Sequence, residues 1–209
     1  MEKRNDTRRL VLYALFVALI FLLGLTPLGY IYLPIAAITT VHIPVIVGSY
    51  INGPKGGLFL GFFFGLTSLI QCFMTPDATA AIVLGTATGF GLYNLFLVFV
   101  VIFLPRMLTG LFSGLVYKAL AKRTKDIVSM GVAAFVGSMT NTVFYLGGLY
   151  IFAFSQTAAA MGVSGENAGV ALLQVLLGIV SLNGVLEAVG AVILSTAVGK
   201  ALQAYLANR

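Results

Sequence analysis

The sequence predicts an all-α integral membrane protein of six transmembrane helices with both termini on the cytoplasmic side. Three observations lead to this class. Of the 209 residues, 60% are hydrophobic and only 9% are charged, and mean hydropathy is +1.06, whereas a soluble domain of this size needs far more charge to cover its surface. Several apolar stretches reach the roughly 18 residues that a bilayer crossing demands. The basic residues also fall in alternate connections only, which is the signature of the positive-inside rule.

Helices are expected at 8–25, 35–52, 56–73, 93–119, 126–152 and 168–203, forming a single membrane domain over 1–209. Ahead of the first, Lys3, Arg4, Arg8 and Arg9 precede an apolar run from Leu10 to Leu25. This resembles the basic and apolar parts of a signal peptide, but no small-residue cleavage site follows and apolar segments continue, so it reads as a retained helix. Pro34 and Pro44 interrupt the second helix. The sequence NGPKGG at 52–57 is a tight turn into the third, with Gly and Pro as breakers. The connection at 74–92 is long and holds Pro76, Asp77, Gly85, Gly89 and Gly91. The fourth helix carries Pro105 and Arg106 inside the apolar run VVIFLPRMLTGLF, and KALAKRTKD at 118–126 is the one internal basic run. The connection at 153–167 is rich in small residues and carries Glu166.

With the N-terminus cytoplasmic, that side receives Lys3, Arg4, Arg8, Arg9, Lys55, Lys118, Lys122, Arg123, Lys125, Lys200 and Arg209, while the outer connections receive Asp77 and Glu166. This distribution accounts for the net charge of +6 without nucleic acid as a partner. Tyr30, Tyr32, Tyr93 and Tyr150 fall near the outer interface, where amphipathic rings prefer to sit.

Several chemistries are excluded or weakened. There is no G-x-x-x-x-G-K-[ST] to hydrolyse ATP by a P-loop, and GTATGFG at 85–91 lacks the required strand-to-helix setting. The lone Cys72 excludes an intramolecular disulfide and gives no metal-site spacing. For an intramembrane enzyme, GLFSG at 110–114 lacks the G-x-S-G spacing and His42 is the sole histidine; the few acids likewise argue against a metal-dependent transferase. No inverted repeat relates the halves, which weakens a repeat-built secondary transporter.

The polar residues inside the helices share one depth. Counting about 1.5 Å per residue from the nearest cytoplasmic charge, Arg106 lies about 18 Å outward from Lys118 and Asn141 about 22 Å from Asp126. By the same count Glu187 and Asn183 lie about 20 and 25 Å from Lys200, and His42 about 20 Å from Lys55. Intramembrane ionisable groups usually face the bundle interior or a watered cavity. Thr39 lies one turn from His42 on the same face, as Tyr145 does from Asn141. Arg106 and Glu187 alternatively pair as a structural ion bridge, and Asn141 and Asn183 alternatively serve only as interhelical hydrogen bonds. Pro105 cannot donate to the Val101 carbonyl and kinks the helix there. A freed carbonyl at that depth requires protein or water to satisfy it. Arg106 is therefore expected to point into a polar pocket open to the outside, where its planar fork suits a carboxylate or phosphate.

Gly57, Gly61 and Gly65 recur at four-residue spacing and Gly110 with Gly114 repeats it, which lets helices approach closely in lipid. Ala14 and Ala18 share a face of the first helix.

Six helices, cytoplasmic termini, no ATPase motif and A-x-x-x-A on the first helix together resemble the substrate-binding S component of an energy-coupling factor (ECF) vitamin transporter. The resemblance covers essentially the whole chain and implies an S-component-like bundle. AITTVHIPVIVGSYINGPKGGLFLGFFFGLTSLI at 37–70 and FLPRMLTGLFSGLVYKAL at 103–120 look most like the pantothenate-specific branch. The resemblance implies a binding protein of a prokaryotic plasma membrane, not an enzyme. Such a protein captures a vitamin from outside and reorients against a scaffold subunit and two ATPase subunits. No cofactor is then expected in this chain, ATP being used by the partner subunits. Ala14 and Ala18 map to the family motif that contacts the scaffold. The candidate substrate-binding residues are Thr39, His42, Arg106, Asn141, Tyr145, Asn183 and Glu187, with Glu187 orienting Arg106. Two readings compete: a riboflavin-binding S component, whose ligand lacks a carboxylate for Arg106, and a proton-coupled secondary transporter using His42, Glu187 and Arg106 as a relay.

Overall fold

A computed structural model describes residues 2–32, 37–86 and 89–207. The chain opens with helix α1 (Glu2–Gly24) and a two-stranded antiparallel hairpin, β1 (Tyr30–Tyr32) and β2 (Ala37–Thr39), in which Tyr30 pairs with Thr39. Helix α2 (His42–Met74) is followed by the short α3 (Ala78–Leu84). Next come α4 (Leu92–Leu97), a π-helical segment (Val98–Phe103) and α5 (Leu104–Leu120), running on as one rod. Helix α6 (Asp126–Phe152) leads to the short α7 (Phe154–Ala160). A last rod consists of α8 (Ala168–Ile179), a second π segment (Val180–Gly184) and α9 (Val185–Ala207).

Among the described residues four helices are long and apolar enough to cross a membrane: His42–Met74, Leu92–Leu120, Asp126–Phe152 and Ala168–Leu206. Arg9–Gly24 is a shorter apolar helix. The first of the four folds back on itself. Gly53 has φ 75° and ψ −178°, a conformation essentially reserved for glycine. Beyond it a Cβ on Gly57 would lie 2.8 Å from the Cβ of Ser49, and one on Gly48 would lie 2.2 Å from Leu60 Cδ1. Residues 48 and 60 of a straight helix would be about 18 Å apart, so α2 is a helical hairpin with arms 42–52 and 54–74. The turn falls inside the NGPKGG sequence, and Pro54 sits where its missing N–H costs least, at the first position of the second arm.

One expectation is corrected here. The second helix does not begin at 35: residues 37–39 form a strand, and the helix starts at His42. Pro44 explains the start. In the first turn its absent N–H would have no intrahelical partner anyway, so this proline marks an N-terminus instead of an interruption. Residues 33–36, with Pro34, lie outside the described residues.

The second arm of α2 packs along α5 more closely than side chains allow. A Cβ on Gly57 would meet the Gly110 carbonyl oxygen at 2.1 Å, and one on Gly61 the Arg106 carbonyl oxygen at 2.3 Å. The glycine ladder is thus a packing device that fixes the position of Arg106. Buried side chains form separate clusters around this seam. Phe16, Ile20, Val45, Leu60 and Phe64 join α1 to α2, Ile46, Met130, Ala134 and Ala191 join the first arm of α2 to α6 and α9, and Leu97, Val101, Leu149 and Leu172 close the end bearing α3 and α7.

Candidate ligand site

Arg106 answers to its own helix first. The π segment ends against Leu104 and Pro105, and the proline leaves a carbonyl without its helical donor. Arg106 Nη1 donates to the Val101 carbonyl at 2.8 Å, which satisfies that group from the side chain. The guanidinium lies over the Tyr145 ring at 4.8 Å and the Phe64 ring at 5.7 Å, a cation–π setting. Tyr145 in turn donates its hydroxyl to Thr79 Oγ1 of α3 at 2.7 Å, tying the arginine to the connection at 74–92. Arg106 Nε is buried and has no partner.

Glu187 is turned elsewhere. Its Oε1 accepts the backbone N–H of Thr39 at 2.5 Å, and its Oε2 accepts the Thr142 hydroxyl at 3.4 Å. Glu187 as a whole is 7% exposed. Among the described residues Arg106 and Glu187 form no ion pair, so neither the structural bridge nor an orienting contact onto Arg106 is made, although the arginine lies within electrostatic reach. Glu187 instead joins β2 to α6 and α9 and draws the first connection down into the bundle.

His42 is 1% exposed, beside the Thr39 backbone, and neither ring nitrogen has a hydrogen-bond partner. Asn141, at 6%, leaves Oδ1 unpaired. It neighbours Thr142 on α6, one turn from Tyr145. Asn183 lies in the second π segment, one turn before Glu187, and is half-buried. The predicted residues thus fall into two groups: His42 beside Thr39, which bonds Glu187, which bonds Thr142; and Arg106 over Tyr145, with Asn141 one turn before that tyrosine on α6. Sequence reading missed Thr142 and Thr79, and it named the Val101 carbonyl without its partner. The proline signalled the carbonyl and predicted that something would satisfy it, but nothing in the sequence named the neighbouring arginine. Thr79 sits in a connection whose fold no periodicity announces.

The tyrosines of the same end act as stitches. Tyr30 shares a hydrogen bond with Ser68, Tyr93 donates to the Phe152 carbonyl, and Tyr150 donates to Gly169. On the outside of the bundle, α1 buries Phe16 and Ile20 and leaves Ala14, Ala18, Leu15 and Leu22 exposed. The alanine pair therefore belongs to a face with no partner within the described chain.

Comparison with known proteins follows the same line. The profile of the family described as "ECF transporter, substrate-specific component" matches residues 8–199. The chain is 36% identical over 171 residues to the pantothenic acid transporter PanT of Lactococcus lactis subsp. cremoris, covering 78% of this chain and 76% of the relative. It is 29% identical to the pantothenate transporter PanT of Leuconostoc mesenteroides subsp. mesenteroides, covering 95% of this chain and 93% of the relative.

Proposed function

The chain belongs to the substrate-specific components of ECF transporters, and on that premise we propose that it is the subunit that captures pantothenate outside the cell. It is a multi-pass membrane protein of a transport system and not an enzyme. The reading of the ligand draws support from the two relatives named as pantothenate transporters.

One structural observation carries the site. Arg106 Nε, both nitrogens of His42 and Oδ1 of Asn141 are buried polar atoms without partners. Each such atom costs about 1–3 kcal/mol when left unpaired, and buried polar groups are normally satisfied. A ligand that supplies the missing partners recovers that cost. Pantothenate offers a carboxylate, hydroxyls and an amide. Arg106 carries five donors, of which one reaches Val101, so the guanidinium holds the carboxylate with the others. His42 and Asn141 take the hydroxyls and the amide. Thr39, Thr142 and Glu187 hold the first connection over the pocket, and Tyr145 and Asn183 line it.

With α1 and the two arms of α2 counted separately, the fold supports six crossings. The loop charges support both termini on the cytoplasmic side. The exposed Ala14–Ala18 face then meets the scaffold subunit, and two ATPase subunits supply the energy for reorientation. The test is mass spectrometry of the small molecule released from protein purified without added ligand. Recovery of pantothenate is expected; recovery of riboflavin or another vitamin overturns the ligand assignment.

A further inference from the structure

A groove of about 520 Å³ runs between α6 and α9 near the start of α6, at the end of the bundle away from the candidate ligand site. Its walls are aliphatic, with Ile127 of α6 and Val192 and Ile193 of α9 among them. Gly131 keeps the floor open, since a Cβ there would meet only Val192 and Thr196, at 3.7 and 3.9 Å. One polar group reaches the mouth of the groove, the exposed ammonium of Lys200; Thr196 lines the wall with its hydroxyl buried. From Val192 to Lys200 the groove runs for about 12 Å, within the roughly 15 Å depth of one leaflet's hydrocarbon.

Charge sits at one end only. Lys200 is joined there by the connection that begins α6, with Lys122, Arg123 and Lys125, all exposed, against the single carboxylate of Asp126. We propose that the groove is a binding site for a phospholipid with an anionic headgroup. An acyl chain lies between Ile127, Gly131, Val192 and Ile193. The headgroup phosphate meets Lys200 and the cations of 122–125, one turn beyond the buried Thr196. Aliphatic walls ending in a basic mouth match the two-part chemistry of a lipid, and basic pockets between helices on the cytoplasmic side bind anionic headgroups.

The experiment uses the full chain in detergent, offered phosphatidylglycerol and phosphatidylcholine with identical acyl chains, and read by native mass spectrometry. The wild type is expected to retain one phosphatidylglycerol in preference to phosphatidylcholine by about fivefold or more. Lys200→Gln should erase most of that preference while leaving phosphatidylcholine retention unchanged. Gly131→Leu, which fills the groove, should lower retention of both lipids, with the thermal midpoint of each variant recorded to show that it folds. Equal retention of the two lipids by the wild type, or variants that retain both like the wild type, overturns the proposal. Loss of scaffold-subunit recovery in Gly131→Leu with lipid retention intact also overturns it, in favour of a partner helix in the groove.

Discussion

Glu187 of α9 accepts the backbone amide of Thr39 at 2.5 Å, joining residues 148 apart in sequence. A carboxylate that binds backbone in this way closes a connection and does not compete for a ligand. The first connection, with its β-hairpin, is thereby pinned to the bundle at the level of the buried polar residues. Removing the carboxylate in Glu187→Ala should release it. A charge-assisted hydrogen bond is worth about 1.5–3 kcal/mol, so amide exchange over 37–41 should rise about 10- to 100-fold. Glu187→Gln keeps an acceptor oxygen and should retain most of the protection. Exchange that stays slow in Glu187→Ala shows that the hairpin is held by packing alone.

The glycine seam gives a second expectation. Gly57→Ala would place a Cβ 2.1 Å from the Gly110 carbonyl oxygen, a backbone clash that no rotamer relieves. Overpacking of this kind costs about 1–3 kcal/mol, and it should lower the thermal midpoint. The shift of α5 should also weaken ligand binding, because Arg106 rides on that helix. Gly147 lies inside α6 with nothing within 4 Å of the same atom, so Gly147→Ala should not destabilise and should raise stability by about 0.4–1 kcal/mol. Similar midpoints for the two variants would mean that the seam relaxes without cost.

Much of this architecture was legible because lipid simplifies the problem. Apolar runs and the NGPKGG turn each obey a single physical rule, and helices at 93–119 and 126–152 agree with the structure to within a residue at either end. The paired strands at 30–32 and 37–39 were not legible, since three-residue strands carry no periodicity and Pro44 reads equally as a break or a start. The candidate site residues were chosen by a common depth, not by contacts. A common level along several helices says which side chains can meet, whereas Glu187 choosing Thr39 and Thr142 over Arg106 depends on rotations that sequence spacing leaves free.

Topology is tested by labelling. In a Cys72→Ala background, single cysteines replacing Asp77 and Glu166 should react with an impermeant reagent added outside intact cells. One replacing Lys122 should react only after permeabilisation. The opposite pattern inverts the orientation and removes the charge argument for it.

Coupling is tested on α1. Ala14 and Ala18 lie on its exposed face, and small residues let another helix approach closely. Replacing both with tryptophan should abolish uptake by the assembled transporter while the isolated subunit binds pantothenate as before. Undiminished uptake would assign that face to lipid.

Arg106 carries the sharpest expectation, because it has two duties that separate experimentally. One N–H holds the Val101 carbonyl, and the rest of the fork is proposed to hold the ligand carboxylate. Arg106→Ala loses both, so binding of pantothenate should weaken at least about tenfold, corresponding to about 1.4 kcal/mol. Arg106→Lys should restore the bond to Val101 and only part of the affinity, since a point charge replaces a planar fork. Pantothenol, which lacks the carboxylate, separates the duties. It should bind the wild type weakly and lose much less affinity than the acid in Arg106→Ala, as it has no charge for the arginine to hold. If acid and alcohol lose affinity equally, the arginine serves the helix alone, repairing the backbone that Pro105 leaves open, and the carboxylate must be held by another group.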